Sequence, residues 1–180
     1  MSRIGKLPII IPKGVNVNYS EEEIIVEGKF GRLDHYIPQV IYLTRNNNIL
    51  KVNIKEKSKT KDSEAVHGLY RTMINNMIIG VSEQFEKTLI LKGVGYRAII
   101  EGNLMTLNLG YSHPVKIDIP EDISAEIIQN TTINFRSCNK NSLGLFVSGI
   151  RIWRPPEPYK GKGILYKNEK IIRKDGKSAK

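Results

Sequence analysis

Cysteine is nearly absent from this 180-residue sequence. Cys138 stands alone, so the chain has no internal disulfide and no multi-thiolate metal site, and it fits a reducing compartment. Histidine is scarce too: His35, His67 and His113 lie too far apart for the spacing of a zinc site. No G-x-S-x-G, P-loop or recognisable acid–base pair occurs, so catalysis has no positive sign. Long apolar runs are missing, and the short one ahead of Pro12 falls well below a signal core or a bilayer span. These absences predict a soluble, unexported protein that is not an enzyme. They predict no cofactor, no metal, no membrane partner and no small-molecule substrate. Alanine occurs only at positions 65, 98, 125 and 179, while Ile, Asn and Lys abound. That skew follows an AT-rich coding genome and points to an organelle.

What the sequence has is positive charge and enough apolar material for a core. The net charge is +10, the pI is near 9.6, and 40% of residues are hydrophobic, which suits a folded protein with a polyanionic partner. The charge is concentrated at one end. Residues 151–180 hold ten cations (Arg151, Arg154, Lys160, Lys162, Lys167, Lys170, Arg173, Lys174, Lys177, Lys180) against Glu157, Glu169 and Asp175, a net +7.

A faint repeat organises the chain. Lys13-Gly14-Val15 matches Lys92-Gly93-Val94, and Gly31 matches Gly110, at the same spacing of 79 residues. In the first copy Gly14 to Tyr19, Glu23 to Val26 and Ile49 to Ile54 read as strands, with Gly28 and Gly31 at turns. A helix follows from Asp62 as N-cap to Gly80, with Ala65, Val66, Leu69, Tyr70, Met73, Ile74, Met77 and Ile78 as its core stripe.

In the second copy Thr88 to Leu91, Tyr96 to Ile100 and Leu104 to Leu109 read as strands, the last two joined by a tight Gly102-Asn103 turn. Further strands are expected near Val115 to Ile119, Ala125 to Ile128 and Thr132 to Phe135. A helix from about Asn139 buries Leu143, Phe146, Val147 and Ile150, and Pro155-Pro156 ends it. The expected architecture is α+β: two tandem similar domains, 1–82 and 83–153, each a mostly antiparallel sheet packed with one helix. A basic extension, 154–180, completes the chain.

Gly93-Val94-Gly95-Tyr96-Arg97-Ala98 fits the dinucleotide pattern G-x-G-x-x-G/A, but Ile99 to Leu109 reads as strand, turn, strand. The helix N-terminus that would hold a pyrophosphate is therefore missing, and a hairpin with glycine bends is preferred. His67 is expected on a polar stripe with Arg71 and Asn75, either touching phosphate or simply solvated. Lys55, Lys57, Lys59 and Lys61 alternate through a connector that is either solvated or close to phosphate. On the second helix Lys140, Gly144, Ser148 and Arg151 share a stripe suited to a phosphate backbone or to another protein segment. The run Arg154 to Gly163 differs in kind: prolines stiffen it, glycines allow close approach, Tyr159 offers a stacking face, and Lys160 and Lys162 flank Gly161. Lys167 to Lys180 is expected to be disordered alone and to order only against RNA.

Taken together, several segments resemble the bacterial-type ribosomal protein L6 family. They are Ser2-Arg3-Ile4-Gly5-Lys6, Gly68-Leu69-Tyr70-Arg71, Asn75-Asn76-Met77, Ile79-Gly80-Val81-Ser82-Glu83, Gly93 to Ala98, Leu109-Gly110-Tyr111-Ser112-His113-Pro114-Val115 and, most specifically, Pro156-Glu157-Pro158-Tyr159-Lys160-Gly161-Lys162-Gly163-Ile164. The resemblance implies a structural constituent of the large ribosomal subunit. It would bind large-subunit rRNA near the sarcin-ricin loop and the translation-factor site, beside neighbouring ribosomal proteins. RNA contacts are expected from Lys140, Arg151, Arg154, Tyr159, Lys160, Lys162, Lys167 and Arg173, with secondary ones from Arg3, Lys6, His67 and Arg71. Asn139 and Trp153 depart from the family pattern, which has an acidic residue and a more polar or basic one there. Composition and bacterial character together place the protein in a plastid stroma, with a bacterial cytoplasm or a mitochondrion as the alternative.

Overall fold

The computed structural model of the protein describes residues 3–55 and 61–176, with the backbone alone at Lys61. Ser2, Lys57, Lys59, Lys177 and Lys180 lie outside the described residues. The chain forms two units. One comprises residues up to Phe85 with Cys138–Lys140, and the other Glu86–Ser137 with the chain from Asn141 onward.

The first unit runs β1 (Ile9–Ile10), β2 (Asn16–Tyr19), β3 (Glu23–Gly28), β4 (Gly31–Tyr36), β5 (Ile41–Asn46), β6 (Ile49–Ile54) and α1 (Lys61–Glu83). Two three-stranded antiparallel sheets result, ordered β1-β6-β5 and β2-β3-β4. Alternation sets their inner faces: Val17 stands opposite Val26, and Ile9 opposite Leu50, all buried. α1 covers that interior with Ile74, Met77, Ile78 and Val81.

The stripe differs from the expected one. Leu69 is 55% exposed and Ala65 is also exposed, while Ser63 and His67 are buried. Steps of three and four through Ser63, His67, Tyr70, Ile74, Met77 and Val81 define the inner face. A polar residue with a partner belongs to that stripe, and selecting apolar residues alone rotates the helix too far. Nor does Gly80 end the helix. α1 continues to Glu83, and Gln84, with φ +63°, makes the left-handed exit while its amide donates to the Gly80 carbonyl at 3.0 Å. Cys138 is packed, its thiol donating to the Phe30 carbonyl at 2.9 Å.

The second unit runs β7 (Phe85–Lys92), β8 (Arg97–Glu101), β9 (Leu104–Asn108), β10 (Val115–Asp118), β11 (Ile123–Ile128), β12 (Thr132–Ser137), α2 (Lys140–Ile152) and β13 (Gly163–Tyr166). Its sheets are β10-β9-β8 and the four-stranded β11-β12-β7-β13. Both units thus follow the same plan, a three-stranded meander, a second sheet and one helix. Matching strands begin at Asn16 and Arg97, and at Glu23 and Leu104, two residues further apart than the glycine pairs imply. Asn134, inside this unit, accepts from Thr88 at 3.0 Å and donates to Glu86 at 2.7 Å, satisfying a buried amide from neighbouring β7. Among the described residues no helix is long and apolar enough to cross a membrane.

Phe135 on β12 is fully buried and meets Phe146 of α2 edge-on, with ring centroids 5.7 Å apart. Phe135→Ala is expected to remove about 3–5 kcal/mol from the second unit. Denaturant unfolding followed by probes in each unit checks this, and a decrease under about 1 kcal/mol would contradict the central place given to that ring.

Candidate nucleic-acid interface

The cationic end of the second unit is built on a helix stop and a sheet edge. α2 closes with the Trp153 amide donating to the Ile150 carbonyl at 3.2 Å, and Pro155-Pro156 then forbid continuation. The chain returns at once: the Ile164 amide donates to the Arg154 carbonyl at 2.8 Å, and the Glu157 amide to the Lys162 carbonyl at 2.9 Å. These two bonds make Arg154 to Ile164 a closed loop rather than an extended segment. Two glycines permit it. Gly161 takes φ +69°, and Gly163 lies so near Pro156 that a Cβ there would sit 2.7 Å from the Pro156 Cα.

Instead of leaving as a separate extension, the chain then enters β13, antiparallel to β7 with Ile164 opposite Leu91 and Tyr166 opposite Leu89. Beyond β13 the described residues fold back. The Lys174 amide donates to the Pro158 carbonyl at 2.9 Å, and the Arg173 side chain lies 3.6 Å from where a Cβ on Gly161 would stand. As far as Lys174, the segment expected to order only against RNA makes contacts within its own unit.

The cations divide into presented and engaged. Lys160, Lys162 and Lys167 are exposed, and Tyr159 is 56% exposed. Arg154 is exposed but steered, its guanidinium 5.1 Å from the centre of the Tyr111 ring. Hydrogen bonds to the phenols of Tyr111 and Tyr96 push it further above its ordinary value, so it stays charged. Tyr111 also donates its hydroxyl to the Trp153 carbonyl at 2.7 Å.

The glycine run of the dinucleotide-like motif finds its use here. Gly93 leaves room for the Tyr96 ring, 2.8 Å from its Cβ position, and Gly110 borders the same ring at 3.4 Å. The run joins β7 to β8, strand to strand, which removes the helix a pyrophosphate site needs.

Arg151 is engaged. Its Nη2 donates to Glu169 at 2.6 Å, its guanidinium lies 5.6 Å from the Tyr166 ring centre, and its side chain is only 33% exposed. Burial pushes the Glu169 carboxyl up, but hydrogen bonds from the Tyr166 amide and Arg151 outweigh it and hold the group below the usual carboxylate value. The only cue to this pairing in the sequence is an acid placed within a basic stretch.

Lys140 belongs to the first unit, where its ammonium lies 3.5 Å from the Asn76 side-chain oxygen and 5.4 Å from the Phe85 ring centre. Arg3 and Lys6 are exposed there. His67, expected on the surface, is 3% exposed, donates Nε2–H to the Val52 carbonyl at 2.8 Å, and faces Gly5, where any side chain would strike its ring. It cannot reach a nucleic acid. Arg71 is occupied too, donating to the Leu7 and Pro8 carbonyls at 3.2 and 3.1 Å and pinning the chain ahead of β1. Among the described residues no cluster of His, Cys, Asp and Glu is suited to a metal ion.

The sequence profile of the family described as Ribosomal protein L6 matches residues 11–84 and again 92–167, one match to each repeat. The chain is 64% identical to the large ribosomal subunit protein uL6c of Phaeodactylum tricornutum, over the full length of both. It is 43% identical to the protein of that name from Arabidopsis thaliana, over 99% of this chain and 80% of the relative. To the large ribosomal subunit protein uL6 of Gloeothece citriformis it is 44% identical, over 100% of this chain and 99% of the other.

Two outcomes follow from this geometry. Gly163→Ala, facing both φ +139° and the Pro156 backbone, is expected to cost roughly 2 kcal/mol or more, read by thermal unfolding. Glu169, lowered in the folded state, stabilises fully above its unfolded value of 4.5, and that contribution disappears as pH falls through the lower folded value. Partial exposure limits it to about 1 kcal/mol. Unfolding curves of wild type and Glu169→Gln should therefore differ by a constant amount near neutrality and converge in acid. A gap that widens in acid would contradict the assignment.

Proposed function

The chain belongs to the ribosomal protein L6 family, and on that premise we propose that it grips large-subunit ribosomal RNA with the closed basic loop of its second unit. Its role is structural rather than catalytic, and its place is the large ribosomal subunit of a plastid. The observation that carries the RNA reading is the loop from Arg154 to Ile164. There a short, glycine-relieved turn presents Lys160, Lys162 and Tyr159 together, with Arg154 beside them on its tyrosine bed. Ammonium groups on a closed loop neutralise phosphates, while an exposed phenol ring stacks on an unpaired base. Such contacts read the shape of folded RNA more than its sequence.

Lys167 and Arg173 extend the cationic surface on either side of the fold-back. Arg151 acts indirectly, holding the turn after β13 through Glu169. Arg3, Lys6 and Lys140 form a second, sparser set on the first unit. The target we propose is rRNA near the sarcin-ricin loop and the translation-factor site, with other large-subunit proteins as neighbours.

Lys160→Ala with Lys162→Ala is expected to weaken binding to the cognate rRNA fragment and to flatten the slope of log affinity against log salt by about 0.7–0.9 for each phosphate no longer neutralised. Titration at several salt concentrations measures both quantities, and an unchanged slope would overturn the reading. His67→Asn should lower thermal stability but leave that slope as it is.

A further inference from the structure

Glu169 is an acid in the most cationic stretch of the chain, and on charge alone it opposes a polyanion. Its geometry assigns it another task. One carboxylate oxygen accepts from Arg151 at 2.6 Å, the other accepts from the Tyr166 amide at 3.1 Å, and its own amide donates to the Tyr166 carbonyl at 3.0 Å. The side chain therefore closes the turn after β13 and fastens it to the last turn of α2. Arg151 and Glu169 are 33% and 24% exposed, dry enough for a charge-assisted bond to hold position.

The direction of the chain beyond this turn matters. Ile171 and Arg173 lie 3.8 and 3.6 Å from the Cβ position of Gly161, and the Lys174 amide bonds Pro158 at 2.9 Å. The returning segment thus lies across the loop that carries Lys160 and Lys162.

We propose that Glu169 is a positioning residue for RNA binding: by clamping Arg151 to the turn after β13, it sends residues 171–174 back over Gly161 and keeps the basic loop in its binding shape. The proposal rests on the RNA reading above and adds to it a residue that never touches RNA. Its consequence opposes simple electrostatics. A single carboxylate already paired with Arg151 repels phosphate weakly, whereas a loosened loop must be reordered on binding. Removing this negative charge should lower affinity.

The test is Glu169→Gln in the full chain, read by rRNA-fragment titration and by amide hydrogen exchange of the free protein. Exchange at the Lys174 and Glu157 amides is expected to rise about tenfold while β12 stays protected. Affinity is expected to fall roughly three- to tenfold, with the salt slope preserved because every phosphate keeps its cation. Affinity equal to or above wild type, or unchanged exchange at Lys174 and Glu157, would overturn the proposal. If Glu169→Gln also opens β12, the exchange criterion passes to Arg151→Lys, which keeps every charge but cannot reproduce the planar pairing. Faster exchange at Lys174 then supports the clamp, and unchanged exchange removes it. The two readings fail separately: a wild-type chain with no salt-dependent rRNA binding sinks the RNA function, whereas the exchange data judge the clamp without RNA.

Discussion

The pairing of β13 with β7 ties the cationic end of the chain to the core of the second unit. Because Ile164 stands opposite Leu91 and Tyr166 opposite Leu89, the backbone before and after β13 is fixed by the sheet while Lys162 and Lys167 stay exposed. The loop closes against the end of α2, the turn at Glu169 reaches Arg151, and Tyr166 supplies the ring on which Arg151 rests. Fully buried Ile164 anchors all of this. Without that anchor the cations would form a repelling tail, whose ordering on RNA would have to be met from binding energy.

The interface separates attraction from geometry. Lys160 and Lys162 carry exposed charge, and neither takes part in the ion pairs found among the described residues, which suits contact with phosphate. Arg151, which donates to Glu169 at 2.6 Å, is withdrawn from that role and given over to shape. Tyr96 and Tyr111 likewise serve shape, holding Arg154 where the loop begins. One glycine of the nucleotide-like motif serves this arrangement, since Gly93, together with Gly110 from outside the motif, makes room for the ring of Tyr96.

Features with local causes were legible in the sequence. The proline pair ended α2, Gly102-Asn103 turned β8 into β9, and the repeated order of strands and helix foretold two similar units. What escaped depended on distant partners. β13 is four residues embedded in a basic stretch, and only β7, far upstream, makes it a strand. His67 reads as a surface residue until the Val52 carbonyl is placed beside it, and Arg151 reads as a phosphate ligand until Glu169 arrives. β4 was missed for a different reason: Arg32, Asp34 and His35 break apolar alternation on a strand whose residues are largely exposed. Residue type locates charge well, but whether a charge is available is decided by tertiary contacts.

The late position of β13 also sets an order of assembly. In the first unit β2, β3 and β4 pair with their neighbours in sequence, as do β5 and β6, and even β1 finds its partner β6 within the same stretch, so these sheets can form early in synthesis. β7 gains β12 earlier, but its other edge waits for Gly163–Tyr166, which follows both β12 and α2 in the chain. Until then it is an open strand of the kind that invites mispairing with other chains. The segment that presents the basic loop is thus also the last stave of the sheet, so a nascent protein closes its exposed edge in the same step that makes it competent to bind.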